Sequence, residues 1–101
     1  MSDEKLGSNM RRKIEVLSSK VAEVNKKTAA IIDKNNITGP LKNEFKLKTD
    51  QYNGMMEDLY TMLEYTDKQE TIDNIMNQQI EVLRVRIEWE QDILKRIKKA
   101  T

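Results

Sequence analysis

The chain has 101 residues, of which 35% are charged and 5% are aromatic, and its formal net charge is +1. This length suits a single domain, and the composition is typical of long, solvated helices. Cysteine and histidine are absent, which excludes a disulfide framework and a thiol nucleophile. The commonest general base and transition-metal ligand are also lost with histidine.

The first predicted element is a helix over residues 10–35. Small or apolar side chains recur there every three or four residues, which is the period of one helix face. The members of this series are Met10, Ile14, Leu17, Val21, Val24, Thr28 and Ile31. Residues 1–9 precede the pattern and are expected to form a flexible N-terminal arm.

A turn at residues 36–40 separates this helix from a second one. Asn35 and Asn36 tolerate the left-handed conformation that ends a helix, and Pro40 suits the first position of the next. The second periodic series contains Leu41, Phe45, Lys48, Tyr52, Met55, Leu59, Met62 and Thr66. Folding the chain at the turn pairs the two series, so the sequence predicts an antiparallel coiled-coil hairpin over residues 10–66.

The charges of the two hairpin arms support the same pairing. Residues 1–36 carry a net charge of +3 and residues 41–70 a net charge of −3. Opposite charges favour helices that lie side by side. The register also predicts two ion pairs across the hairpin, Lys34–Glu44 and Lys20–Asp58.

Residues 67–101 form a third predicted helix, which has two apolar faces and a basic C-terminal end. A bend near Thr66–Gln69 would give a three-helix bundle. The heptad pattern continues without a break, however, so one elongated helix from 41 to 98 remains the alternative. The fold class is therefore all-α: a helical hairpin plus a third long helix.

The second face of the third helix is the predicted docking surface. A helix that is apolar on two faces needs two sets of neighbours, and the second set would belong to a partner. Trp89 is the strongest candidate because tryptophan is enriched at the energetic centres of interfaces. The predicted partner-binding residues are Ile72, Ile75, Val82, Trp89, Ile93, Met56 and Leu63.

Catalytic, cofactor and metal sites are not expected. The glycines are isolated, so the chain has no phosphate-binding loop, and acidic residues alternate with basic ones. A basic cluster near the C-terminus is a candidate contact for nucleic acid, although cations there also stabilise a helix end. That cluster contains Lys95, Arg96, Lys98 and Lys99. No segment reads as a membrane span or a signal peptide, so a cytoplasmic location is expected.

In outline the hairpin resembles two families of short helical hairpins, the secreted WxG-type proteins and the type III secretion needle subunits. The turn Ile37-Thr38-Gly39-Pro40 lacks the tryptophan that defines the WxG type. The resemblance therefore concerns shape and carries over no site residues.

The predicted function is a non-enzymatic, coiled-coil assembly component: a small subunit, adaptor or scaffold that acts through helix–helix packing. A homo-oligomer or a subunit of a larger complex is expected. Two alternatives remain open, namely a secretion chaperone or secreted hairpin subunit, and a nucleic-acid-binding regulator.

Overall fold

The protein is an all-α three-helix bundle. A computed structural model describes the backbone of residues 2–101 and the side chains of residues 7–101. The helices are α1 (Ser2–Lys34), α2 (Pro40–Glu64) and α3 (Gln69–Ala100), and the bundle is 52 Å long. Residues 65–68 separate α2 from α3, so the three-helix alternative is confirmed and a continuous helix from 41 to 98 is not formed.

The start of α1 differs from the prediction. The helix begins at Ser2, eight residues ahead of Met10, so the segment expected to be a flexible arm is helical from Ser2 onward. Met1 lies outside the described residues. Among the side chains that the structure describes, Met10 is the first one of α1 that is buried in the core, and backbone helicity does not require such burial.

The turn between α1 and α2 follows the predicted chemistry. Asn36 adopts a left-handed backbone with φ of 51°, Gly39 has φ of 82°, and Pro40 opens α2. A side chain at Gly39 would be strained by that φ angle, since L-residues rarely adopt it. Three residues within five positions therefore specify one tight connection.

α3 is the helix on which the other two pack. The backbones of α1 and α2 each run close to that of α3, but they approach each other at almost no point. Where α1 and α2 do meet, they meet through side chains, as in the 3.3 Å hydrogen bond from Asn25 Nδ2 to Thr49 Oγ1. The bundle is therefore closed around α3 and open between α1 and α2.

The core consists of two apolar clusters along α3. The larger cluster buries Met10, Ile14, Val21, Met56, Leu59, Ile75, Met76, Ile80, Leu83 and Ile87. The smaller one, next to the α1–α2 turn, buries Ile32, Trp89, Ile93 and Ile97. Ile93 and Ile97 are fully buried, which makes the C-terminal half of α3 as much a part of the core as the hairpin.

The buried face of α2 differs from the predicted one. Met55 and Met62 were expected in the core, yet they are 48% and 49% exposed, whereas Met56 is 8% exposed. Adjacent helical residues point about 100° apart, so the core face of α2 keeps Leu59 of the predicted series but turns towards Met56 and away from Met55 and Met62. The difference follows from the partner: the backbone of α2 runs much closer to that of α3 than to that of α1.

Within the described residues, no helix has the length and apolar character needed to cross a membrane.

Candidate functional site: the groove between α1 and α2

The open side of the bundle is a groove with α1 and α2 as its walls. Small side chains at helical spacing line the α1 wall, namely Ser18, Ala22, Asn25 and Ala29. The facing wall of α2 carries Thr49 and Asn53. Short side chains leave the space between the two backbones unfilled, so the groove follows directly from residue size.

Two cavities open along this groove. The one nearer the α1–α2 turn has a volume of about 230 Å³ and is lined by Ala29, Ile32 and Phe45 among others. The second, at mid-bundle, has a volume of about 420 Å³, and its lining includes Asn25, Asn53 and Tyr60. The groove thus combines an apolar part with a polar part, and Tyr60 on its edge is 49% exposed.

The floor of the mid-bundle cavity belongs to a buried polar network on α3. Arg86 lines the cavity and its Nε donates to Glu90 Oε1 at 3.1 Å. Asn25 Nδ2 donates to the same oxygen at 3.1 Å, while Arg86 Nη1 donates to Asn53 Oδ1 at 2.7 Å. The network therefore ties α1, α2 and α3 together at one level.

The carboxylate of Glu90 is destabilised by this arrangement. Its side chain is fully buried, and burial raises its pKa above the usual 4.5 despite the hydrogen bonds from Asn25 and Arg86. Its second oxygen, Oε2, has no hydrogen-bond partner within the described residues. A carboxylate in such surroundings is less favourable than one in water, so the hydrogen bonds from Arg86 and Asn25 only partly offset the loss of water around Glu90.

A second charged cluster lies near the turn, at the edge of the smaller apolar cluster. Glu44 accepts from Arg96 Nη1 at 3.1 Å and from Trp89 Nε1 at 2.9 Å. The Trp89 ring also packs on Phe45 and Tyr52, with ring centroids 6.2 and 5.7 Å away. The bonds from Arg96 and Trp89 lower the pKa of Glu44 to about 2. This cluster fastens the N-terminal half of α2 to α3.

The predicted hairpin ion pairs do not form. Among residues 7–101 the ion pairs are Arg86–Glu90, Arg96–Glu44 and Arg96–Asp92. Glu44 was paired with Lys34 in the predicted register, but it turns to α3 instead. The separation of α1 from α2 explains the difference, because lysine and carboxylate side chains on the two walls face an open groove.

The predicted docking stripe lies inside the monomer, and the expectation that it is exposed is wrong. Ile75, Trp89, Ile93 and Met56 are buried, and the remaining three predicted residues are partly buried against the larger cluster: Ile72, Leu63 and Val82. The second apolar face of α3 is covered by α2. Two apolar faces were needed because α3 packs on two helices of its own chain.

The basic cluster near the C-terminus is only partly available. Arg96 is held by Glu44 and by Asp92, whose Oδ2 lies 3.0 Å from Arg96 Nε. Lys95, Lys98 and Lys99 are exposed. Binding of nucleic acid through this cluster stays a prediction, and the structural role of Arg96 removes the residue best suited to grip a phosphate.

Sequence reasoning missed the groove as a site. A signal was present, because Ser18, Ala22, Asn25 and Ala29 lie at helical spacing beside the apolar series of the first helix. A run of small residues has no meaning for packing, however, until the position of the neighbouring helix is known.

Comparisons with models of known families, with curated proteins and with solved structures found no match to this chain.

Proposed function

We propose that the protein is a non-enzymatic assembly component that receives a partner helix in the groove between α1 and α2. The observation that supports this most strongly is the separation of the two walls: the backbones of α1 and α2 each run close to that of α3 but approach each other at almost no point. Bundles normally bury the facing sides of neighbouring helices. A further helix would fill the open position.

The lining of the groove fits such an occupant. Ala22 and Ala29 allow another backbone to approach closely, while Phe45 and Tyr60 offer aromatic surface at the two cavities. Helix-in-groove recognition uses apolar anchors at the spacing of helical turns, with polar side chains at the edges. The apolar cavity near the turn and the polar one at mid-bundle provide both kinds of contact.

The polar floor would give the contact specificity. Asn25, Asn53 and Arg86 present amide and guanidinium groups at one level of the groove. Asn25 Oδ1 and Asn53 Nδ2 take no part in the hydrogen bonds of the network, and an apolar residue placed against them would leave them unpaired, which costs about 1–3 kcal/mol per group. A partner with a polar side chain at that level is therefore preferred.

The test uses a photo-reactive amino acid placed at Ala22 on the groove wall. The matched control carries the same probe at Val16, which is 62% exposed and does not line the groove. The proposal expects a protein adduct of one discrete mass at Ala22, formed in the host cell and absent at Val16.

A groove-filling variant sharpens that test. Ala29→Phe adds a ring beside the cavity of about 230 Å³, so the adduct at Ala22 should fall sharply while helicity by circular dichroism is unchanged. Equal labelling at Ala22 and Val16, or labelling that Ala29→Phe does not reduce, would contradict the proposed function.

A further inference from the structure

The mid-bundle cavity of the groove carries an excess of positive charge. The charged side chains that line it are two cations, Lys26 and Arg86, and within the described residues no aspartate or glutamate lines it. Arg86 is paired with Glu90 beneath the cavity, whereas Lys26 takes part in none of the ion pairs found among residues 7–101. The cavity therefore stays positive even when Glu90 is ionised.

The cavity nearer the turn differs in this respect. Its lining includes two lysines and two aspartates, namely Lys42, Lys46, Asp33 and Asp50. Opposite charges balance there, so that cavity favours neither sign in an occupant. An anionic group is favoured only at the level of Arg86.

Arg86 keeps an unused donor at this level. Its Nε donates to Glu90 and its Nη1 to Asn53, while Nη2 takes part in no hydrogen bond among residues 7–101. The unpaired side-chain atoms that are fully covered are Gln79 Nε2 and Glu90 Oε2, so Nη2 remains accessible. Only 8% of the Arg86 side chain is exposed, and the cavity is the space that it lines.

A second donor lies next to this guanidinium group. Asn53 Oδ1 accepts from Arg86 Nη1 at 2.7 Å, which leaves Asn53 Nδ2 free beside it. Lys26 adds a third donor on the opposite wall, and the amide acceptor without a partner is Asn25 Oδ1. A carboxylate accepts at both of its oxygens and also supplies the missing negative charge, whereas a neutral amide accepts at one oxygen and supplies no charge.

We propose that the partner helix in the groove places a glutamate or aspartate side chain in the mid-bundle cavity, where the carboxylate accepts from Arg86 and Asn53 and pairs with Lys26. A cavity of about 150 Å³ already admits a group the size of benzene, so a volume of about 420 Å³ has room for such a side chain. This inference rests on the proposed function and names the chemistry by which the partner is recognised.

Charge variants of the chain test the inference, each carrying the photo-reactive amino acid at Ala22 in the host cell. Lys26→Glu places a carboxylate where the proposal needs a cation, so the yield of adduct should fall at least about tenfold through like-charge repulsion. Lys26→Arg keeps the cation and should keep the yield within about twofold.

Lys27→Glu is the matched control, since it makes the same charge change on α1 at an exposed position that does not line the cavity. It should leave the yield within about twofold, a small effect for a charge outside the contact. An equal loss of adduct in Lys27→Glu and Lys26→Glu would overturn the carboxylate.

The partner's side of the contact is tested next. Fragmentation of the adduct locates the partner residue bonded to the probe, and the nearest acidic residue within one helical turn is replaced by its amide. That change should lower the yield at least about tenfold with the wild-type lysine, but no more than about twofold with Lys26→Glu, because coupled residues are not additive. A cross-linked helix without an acidic residue in that turn, or an amide variant that cross-links as well as the original, would overturn the inference.

The two proposals fail in different ways. If an adduct forms at Ala22 and not at Val16, yet the charge variants leave it unchanged, the assembly function stands and the carboxylate is overturned. If no adduct forms at Ala22, both are overturned.

Discussion

Two regions of this molecule use the same chemistry, a glutamate held by an arginine, with opposite consequences. Glu44 lies at the edge of the bundle near the turn, and the bonds from Arg96 and Trp89 lower its pKa to about 2. Glu90 lies under the groove, and burial raises its pKa above 4.5 although Arg86 and Asn25 donate to it. An ion pair is therefore not stabilising by itself, and the water that the carboxylate loses decides its effect.

The largest expected effect comes from breaking the buried pair. Arg86→Ala should lower the free energy of unfolding by about 3–5 kcal/mol at pH 7, because it leaves Glu90 buried without a counter-charge. Urea unfolding followed by Trp89 fluorescence measures this loss. Replacing both partners, in Arg86→Met with Glu90→Leu, should restore stability to within about 1 kcal/mol of the wild type. A double variant as unstable as Arg86→Ala would show that the network stabilises the fold outright.

The next effect concerns the indole of Trp89 at the turn end. Trp89→Phe keeps an aromatic ring between Phe45 and Tyr52 but removes the 2.9 Å hydrogen bond to Glu44. We expect a loss of about 1–2 kcal/mol, the range for a hydrogen bond to a charged group that is partly solvated. Thermal unfolding by circular dichroism measures it. A loss as large in Trp89→Phe as in Trp89→Ala would mean that the hydrogen bond, and not ring packing, dominates.

A smaller effect is expected at Glu44 itself. The side chains of Arg96 and Glu44 are 41% and 32% exposed, so water screens their attraction. Glu44→Gln should cost no more than about 1 kcal/mol at pH 7, measured by urea unfolding at low salt. High salt should shrink the cost further, whereas the cost of Arg86→Ala should hardly change with salt. Equal salt dependence in the two variants would remove the contrast between the regions.

The contributions of Glu44 and Glu90 to stability should change with pH in opposite directions. The folded-state pKa of Glu44, about 2, lies below the usual 4.5, so the stabilisation by Glu44 is present above pH 4.5 and is lost as the pH falls towards 2. The pKa of Glu90 is raised, so ionised Glu90 opposes folding and stability is lost as the pH rises above 4.5.

Each contribution is measured as the stability of the wild type minus that of a variant over a pH series. The difference from Glu44→Gln should shrink from pH 4.5 to 2, and the difference from Glu90→Gln should fall as the pH rises above 4.5. If both stability differences changed in the same direction as the pH rises, the opposite environments assigned to Glu44 and Glu90 would be contradicted.

Particular residues show how far the sequence reaches. The turn was predictable because Asn36, Gly39 and Pro40 each have a local conformational preference that needs no distant partner. Ile14 and Leu59 belong to the predicted apolar series and are buried. Met55 and Met56 were assigned the wrong way round, because both neighbours are apolar and only the position of α3 decides which of them faces inward.

The candidate site was less accessible to prediction. Trp89 was expected on a docking surface, but it packs on α2 of its own chain. The groove exists because α1 and α2 are far apart along walls of small residues. Those residues do not stand out in the hydrophobic pattern of the sequence, so the pattern does not indicate a groove. The hydrophobic pattern of a helix shows which of its faces are apolar, but it does not show which other helix covers each face.

The sequence by itself determined an all-α chain, the tight turn before Pro40 and the two apolar faces of the third helix, because these depend on periodicity and local backbone preference. Only the tertiary structure decided that α3 lies between α1 and α2 as their common support, that Glu90 is buried while Glu44 keeps contact with water, and that a groove stays open. Those outcomes depend on how three helices divide a limited apolar surface among themselves, and that division is a property of the whole bundle.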